Sequence, residues 1–98
     1  MGIVTRTPQA SLDLIDAWLY ISADNMSAAD RFIDHIEEVL LLLASNPYAG
    51  TATPTLDATA RGFPVGAYLV LYEPLAEGIL FLRLWHCAQS MEDLQLGR

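Results

Sequence analysis

The sequence predicts a two-layer α+β domain, in which an antiparallel helical hairpin packs on a mainly antiparallel sheet in the order β-α-α-β-β-β. Between residues 9 and 45 the apolar residues recur at helical intervals, and after residue 61 they alternate with a period of two. The links between neighbouring elements are short, so the two helices and the late strands run antiparallel. Because neither layer can bury its apolar side alone, the hairpin has to cover one face of the sheet.

The composition is that of one globular domain spanning residues 1–98. The chain is 53% hydrophobic and 17% charged, its formal charge is −7, and all five basic residues are arginine. Clustered basic residues that would contact phosphates are missing, which argues against nucleic-acid binding. The single cysteine excludes an internal disulfide, and no pattern of ligands points to a metal or other cofactor. The densest aliphatic stretch, residues 39–44, is far shorter than the roughly 20 residues of a membrane span, so we expect a cytoplasmic protein.

Residues 3–5 form a short β-prone run, and the first helix is predicted from Gln9 to about Ser22. Thr7 can cap this helix, and Pro8 is tolerated in its first turn because the missing N–H would be unpaired there. The predicted buried face is apolar and comprises Ala10, Leu14, Ala17, Trp18 and Ile21, widened by Leu12, Ile15 and Leu19. The opposite side carries Asp13, Asp16 and Tyr20.

The second helix is predicted from about Met26 to Ser45, with Asp24 or Asn25 as its cap. It ends before Pro47, which pushes the preceding residue out of the α region. The predicted buried stripe is Ala29, Phe32, Ile33, Ile36, Val39, Leu40 and Leu43. The acidic outer face is Asp30, Asp34, Glu37 and Glu38.

Residues 47–60 are predicted to form a loop, and strands follow at 61–66, 68–73 and 79–86. Pro64 suggests that the first of these strands lies at an edge or carries a bulge. Residues 74–78 form a turn, and residues 90–98 add at most a helical turn.

Strict alternation divides the strand residues between two faces of the sheet. One predicted face is mainly aromatic and contains Tyr68, Val70, Tyr72, Ile79, Phe81, Arg83 and Trp85. The other is mainly leucine and contains Leu69, Leu71, Leu80, Leu82 and Leu84, with His86 at its end. A two-layer domain covers only one face, so we expect the aromatic face to be exposed and to need a partner. If the hairpin covers the aromatic face, the leucine face is left for the partner.

Most of the chain resembles the RelE/ParE toxins, and its strand motif resembles the ParE branch. The resemblance is carried by the order and intervals of segments 7–10, 13–21, 28–32, 42–50, 61–72 and 79–86. It implies a toxin of a type II toxin–antitoxin module, bound as a hetero-oligomer by a ParD-like antitoxin. ParE toxins inhibit DNA gyrase by binding it, whereas RelE toxins cleave mRNA on the ribosome.

The resemblance also bears on the choice between the two branches. The RNA-cleaving members use arginines that stabilise the scissile phosphate, and the matching positions here are Leu69 and Gln89. Loss of one such donor costs about 10²–10³ in rate, so we favour a non-enzymatic, gyrase-binding toxin over a ribonuclease. ParE-like proteins commonly have His-Gly-Ala-Arg-Asp where this chain has His86-Cys87-Ala88-Gln89-Ser90. A toxin that retains only antitoxin binding is therefore a third possibility.

We predict no catalytic and no metal-binding residue. The predicted antitoxin- or target-binding residues are Arg61, Tyr68, Tyr72, Phe81, Arg83, Trp85 and His86. For Arg83 the competing interpretation is stacking on aromatic rings and pairing with a carboxylate such as Glu73. For His86 it is a structural hydrogen bond to the backbone at the sheet end, rather than acid–base chemistry. Cys87 is expected to be a small buried residue without reactivity.

Overall fold

The computed structural model describes residues 2–94 and 96. Its helices and strands are β1 (Ile3–Arg6), α1 (Pro8–Ser22), α2 (Met26–Ser45), β2 (Thr51–Ala52), β3 (Arg61–Val65), β4 (Tyr68–Leu75) and β5 (Gly78–His86). A 3₁₀ turn follows at Met91–Asp93. The predicted order and α+β class are confirmed, and the two-residue strand β2 lies within the segment predicted as a loop.

The five strands form one sheet in the order β1-β5-β4-β3-β2. The pairs β2–β3, β3–β4 and β4–β5 are antiparallel, whereas β1 lies parallel to β5. Ile3 pairs with Gly78, where any Cβ would overlap the Ile3 carbonyl. Gly66 has a φ of 58° in the two-residue turn between β3 and β4, a conformation that glycine adopts without strain.

Both helices begin at the predicted caps. The Thr7 hydroxyl accepts a hydrogen bond from the Ala10 N–H at 3.0 Å and donates one to the Leu82 carbonyl at 2.9 Å. The Asn25 side chain accepts a hydrogen bond from the Ala28 N–H at 3.0 Å. Each cap satisfies a backbone donor that the first turn leaves without a partner, and Thr7 also fixes α1 to β5.

The hairpin covers the face of the sheet that carries most of the aromatic residues, which we call the helix face. Tyr72, Ile79 and Phe81 are fully buried there, together with Val70, under Leu14, Ile36, Leu40 and Leu43 of the two helices. The expectation that this face is exposed is therefore wrong. Among the aromatic residues predicted on this face, only Tyr68, the first residue of β4, is half-buried there.

A β-bulge in β5 changes the predicted division of residues between the faces. Leu71 pairs with Arg83 and Tyr72 pairs with Phe81, so Leu82 is an extra residue opposite β4. Beyond the bulge the alternation is shifted by one residue. Leu84 and His86 consequently lie on the helix face, and Trp85 lies on the opposite face, which we call the far face.

The far face is covered by other parts of the same chain. Leu71, Leu82 and Trp85 are buried there against Leu56 of the loop and Leu94 and Leu96 near the C-terminus. The expectation that one face of the sheet is left bare for a partner is therefore wrong. The sequence suggests only two layers, but Leu56 of the loop together with Leu94 and Leu96 adds a partial third.

Exposed apolar residues lie instead on the outside of the helical hairpin. Leu12, Ile15 and Leu19 of α1, predicted to widen its buried face, are each more than half exposed, as is Leu41 of α2. Asp13, predicted on the polar side, is buried. Helix α1 is thus rotated so that Asp13 faces β5 and the three aliphatic residues face outward. No helix within the described residues is long and apolar enough to cross a membrane.

Candidate functional site

A groove of about 500 Å³ lies between α1 and the carboxyl end of β5. Helix α1 contributes Gln9, Asp13, Asp16, Ala17 and Tyr20. The strands and the turn after β5 contribute Tyr68, Arg83, Leu84, His86, Ala88 and Gln89. The groove forms where β1 has ended and α1 takes its place beside β5, so side chains instead of a strand border the edge of β5.

Asp13 forms the floor of the groove and joins α1 to β5. Its carboxylate accepts hydrogen bonds from Arg83 Nε at 2.7 Å, from the Leu84 N–H at 3.1 Å and from Gln9 Nε2 at 3.0 Å. Asp13 is 8% exposed and the Arg83 side chain 14%, so the pair is screened little by water. The Arg83 guanidinium also lies 5.2 Å from the centre of the Trp85 ring.

The predicted stacking of Arg83 on an aromatic ring and its predicted pairing with a carboxylate are both confirmed, and that carboxylate is Asp13 rather than the suggested Glu73. Glu73 pairs with Leu80 in the strand register and accepts a hydrogen bond from the Thr59 hydroxyl. Arg83 forms its ion pair with Asp13 because the bulge brings the Arg83 side chain to the edge of β5 that faces α1.

Three aromatic rings line the outer end of the groove. The ring centres of Tyr68 and His86 are 4.8 Å apart in an edge-on arrangement, and those of Tyr20 and His86 are 6.2 Å apart. Tyr68 also packs against Phe32 of α2 at 4.9 Å. Partial burial, followed by the charge of the Tyr20 phenolate, raises the pKa of the Tyr68 hydroxyl above its ordinary value. Tyr20 itself is 71% exposed, so its ring is presented to solvent at the rim.

His86 is held by the turn that follows β5. The ring Nδ1 accepts a hydrogen bond from the Ala88 N–H at 3.0 Å, and the backbone N–H of His86 donates one to Gln89 Oε1 at 3.2 Å. The predicted hydrogen bond between the His86 ring and the backbone is confirmed. Because Nδ1 accepts, the neutral ring carries its hydrogen on Nε2. Cys87, predicted to be buried, is exposed beside this turn.

Arg61 and Tyr72 lie away from the groove and hold the loop after α2 on the sheet. The buried Tyr72 hydroxyl donates to the Pro47 carbonyl and accepts from the Gly50 N–H, both at 2.8 Å. Arg61 Nε donates to the Gly50 carbonyl at 2.9 Å, and its guanidinium lies 5.3 Å from the centre of the Tyr48 ring. These contacts give both residues a structural function.

The structure therefore separates the seven residues predicted to bind a partner. Tyr68, Arg83 and His86 line the groove together, whereas Arg61 lies elsewhere. Tyr72, Phe81 and Trp85 are buried in the two hydrophobic cores. The sequence prediction missed the α1 side of the groove, although Gln9, Asp13, Asp16 and Tyr20 recur at the spacing of one helical stripe.

The charges of the groove favour cations over anions. Its charged residues are Asp13, Asp16 and Arg83, and the Arg83 charge is balanced by Asp13. A phosphate in the groove would be repelled by the Asp16 carboxylate, and the described lining residues offer no cation besides Arg83 to offset that repulsion. No group of residues suited to holding a metal ion is found in the described part of the chain.

The comparisons with known proteins agree with this fold. A family model for the ParE toxin of the type II toxin–antitoxin system parDE matches residues 4–91. The chain is similar to a solved structure of the chromosomal ParDE toxin–antitoxin system from P. aeruginosa, with a TM-score of 0.68 and 19% sequence identity. That match covers 88% of this chain and 96% of the other. A search of curated proteins finds no match. The chain belongs to the ParE toxin family of type II toxin–antitoxin systems.

Proposed function

We propose that this toxin inhibits DNA gyrase by binding it and that a cognate ParD-like antitoxin neutralises it in a hetero-oligomeric complex. The observation that carries the proposal is the charge of the groove, where the guanidinium of Arg83 is already paired with Asp13. Phosphodiester cleavage needs a positive group directed at the scissile phosphate. Because gyrase acts on DNA inside the cell, the proposal places the toxin in the cytoplasm.

The exposed apolar residues of the hairpin support binding to a protein. Leu12, Ile15 and Leu19 lie on one side of α1, and each is more than half exposed. An apolar stripe of this kind gains free energy when a partner removes it from water. Antitoxin or gyrase could bury it without any change in the sheet.

The two positions matched to ribonuclease arginines also fit the binding function. Gln89 lines the groove with an uncharged side chain. Leu69 pairs with Trp85 and packs on the far face, away from the groove. Neither residue supplies a charge to an RNA substrate.

A RelE-like, ribosome-dependent mRNA endoribonuclease is the second candidate, because the groove brings the rings of His86 and Tyr68 together, with their centres 4.8 Å apart. Imidazole and phenol are both capable of acid–base catalysis. This activity would appear as codon-linked mRNA cleavage in a translating extract, and it would be lost in His86→Gln.

Induction in a bacterial host distinguishes these functions. We expect growth arrest accompanied by relaxed plasmid DNA, and rescue when the cognate antitoxin is co-expressed. Growth arrest with normally supercoiled plasmid and cleaved mRNA would instead support the ribonuclease. Harmless expression together with tight antitoxin binding would support a toxin that has lost its target, to which the altered segment His86–Ser90 points.

A further inference from the structure

We infer that the groove beside α1 binds an arginine side chain presented by a protein partner. The inference deepens the proposed function, since it rests on that function for the kind of partner. The site itself is defined by Asp16, Tyr20, Tyr68 and His86, which the groove brings together from α1, β4 and β5.

Charge complementarity is the first reason. Asp16 is exposed and makes no hydrogen bond or ion pair with another described residue, whereas Asp13 below it is paired with Arg83. The charged lining residues therefore sum to −1, from two carboxylates and one guanidinium. The whole chain carries −7, which raises the local concentration of cationic groups around it.

The aromatic rings are the second reason, and they favour arginine over lysine. Tyr20 and Tyr68 flank His86, with ring centres 6.2 and 4.8 Å from it. A planar guanidinium stacks on such rings while it donates two hydrogen bonds to one carboxylate, and an ammonium group does neither as well. Asp16 lies one helical turn from Tyr20 on the same side of α1, so both can contact one guanidinium.

The exposure of these groups is the third reason. Tyr20 is 71% exposed, and its ring has no place in either hydrophobic core. The groove, at about 500 Å³, has room for an arginine side chain and the adjoining peptide backbone. Acetylated, amidated Ala-Arg-Ala is therefore a suitable probe.

The test is a titration of the isotope-labelled toxin with this peptide at physiological salt, followed by NMR. The amide signals of Ala17, Ala88 and Gln89 should shift and saturate. The same peptide with citrulline, the uncharged analogue of arginine, should bind about fivefold more weakly, the value of an exposed cation–π contact. Equal binding of the two peptides would overturn the inference, and so would tighter binding of inorganic phosphate at these amides.

Surface variants locate the binding. Asp16→Asn should weaken binding of the arginine peptide about threefold, the value of an exposed ion pair. Tyr20→Ala should also weaken binding, whereas Tyr20→Phe should leave it unchanged. Asp34→Asn is the matched control, because it removes the same charge from α2 outside the groove. An equal loss in Asp34→Asn and Asp16→Asn would show unspecific attraction and contradict the site. Since the titration uses neither gyrase nor antitoxin, its failure is distinguishable from a failure of the proposed function.

Discussion

Asp13 is the residue on which the position of α1 depends. One buried carboxylate accepts hydrogen bonds from the Arg83 guanidinium, from the Leu84 N–H and from Gln9. The N–H of Leu84 lies on the edge of β5 that β1 does not reach. The side chain therefore replaces a missing strand, and hydropathy could not reveal this function, because periodicity alone predicts that an aspartate faces water.

Asp13→Ala should destabilise the fold strongly. It leaves a largely buried guanidinium and a buried N–H without their carboxylate, and the loss of one partner of a buried ion pair costs about 3–5 kcal/mol. Urea unfolding followed by circular dichroism measures this loss. Asp16→Asn, one turn away and exposed, should change the free energy of unfolding by less than about 0.5 kcal/mol. Similar effects of the two variants would contradict the assigned function of Asp13.

Tyr72→Phe should loosen the segment after α2 without disturbing the sheet. The variant removes the hydroxyl that bonds Pro47 and Gly50, and an unpaired buried backbone group costs about 1–3 kcal/mol. Hydrogen exchange should speed up most at the Gly50 amide. Tyr48→Phe is the control, since the Tyr48 side chain is exposed. Unchanged exchange at Gly50 would show that the hydroxyl does not hold this segment.

Tyr68 should make stability fall at high pH. Burial, and then the Tyr20 charge, raise the pKa of its hydroxyl above the ordinary 10.0. The folded state therefore holds this proton more tightly than the unfolded state does. The resulting contribution to the free energy of unfolding is present below about pH 10 and is lost as the pH rises through the pKa of the folded state. Unfolding at about pH 9 and about pH 11 should show a smaller decline for Tyr68→Phe than for the natural chain. An equal decline would contradict the shift.

Among the helices and strands, the strongly periodic segments could be predicted from the sequence, whereas the bulge that interrupts the pairing of β4 and β5 could not. The caps at Thr7 and Asn25 and both helix ends were predictable because their chemistry is local. The bulge at Leu82 was not, because β5 contains no glycine or proline there to mark it. Its effect is large, since it moves Leu84 and His86 to the helix face and Trp85 to the far face.

The outward face of α1 is expected to serve binding and not folding. Replacing Leu12, Ile15 and Leu19 together by glutamine should leave the free energy of unfolding within about 1 kcal/mol of its original value, since exposed positions tolerate substitution. The triple variant should bind the antitoxin more weakly in calorimetry. Leu14→Ala, at a buried position of the same helix, should instead cost about 2–5 kcal/mol. Undiminished antitoxin binding by the triple variant would mean that this face is not the antitoxin interface.

At the scale of the whole molecule, the apolar surface is distributed differently from the prediction. The sheet is covered by the hairpin on one face and by Leu56, Leu94 and Leu96 on the other. The sequence could not show the second cover, because isolated leucines in a loop carry no periodicity. Of the groove, the strand residues Tyr68, Arg83 and His86 were predicted as binding residues. The bulge that brings His86 to the face of Tyr68 could not be predicted, and the α1 side depends on how far the helix rotates.

The family match implies an antitoxin partner, and the groove and the exposed face of the hairpin are the surfaces where we expect other proteins to bind. A supercoiling assay with purified DNA gyrase tests the proposed inhibition. The natural chain at micromolar concentration should block supercoiling, and prior mixing with the antitoxin should restore it. Normal supercoiling at micromolar toxin would contradict gyrase inhibition, most clearly if the same preparation cleaved mRNA in a translating extract.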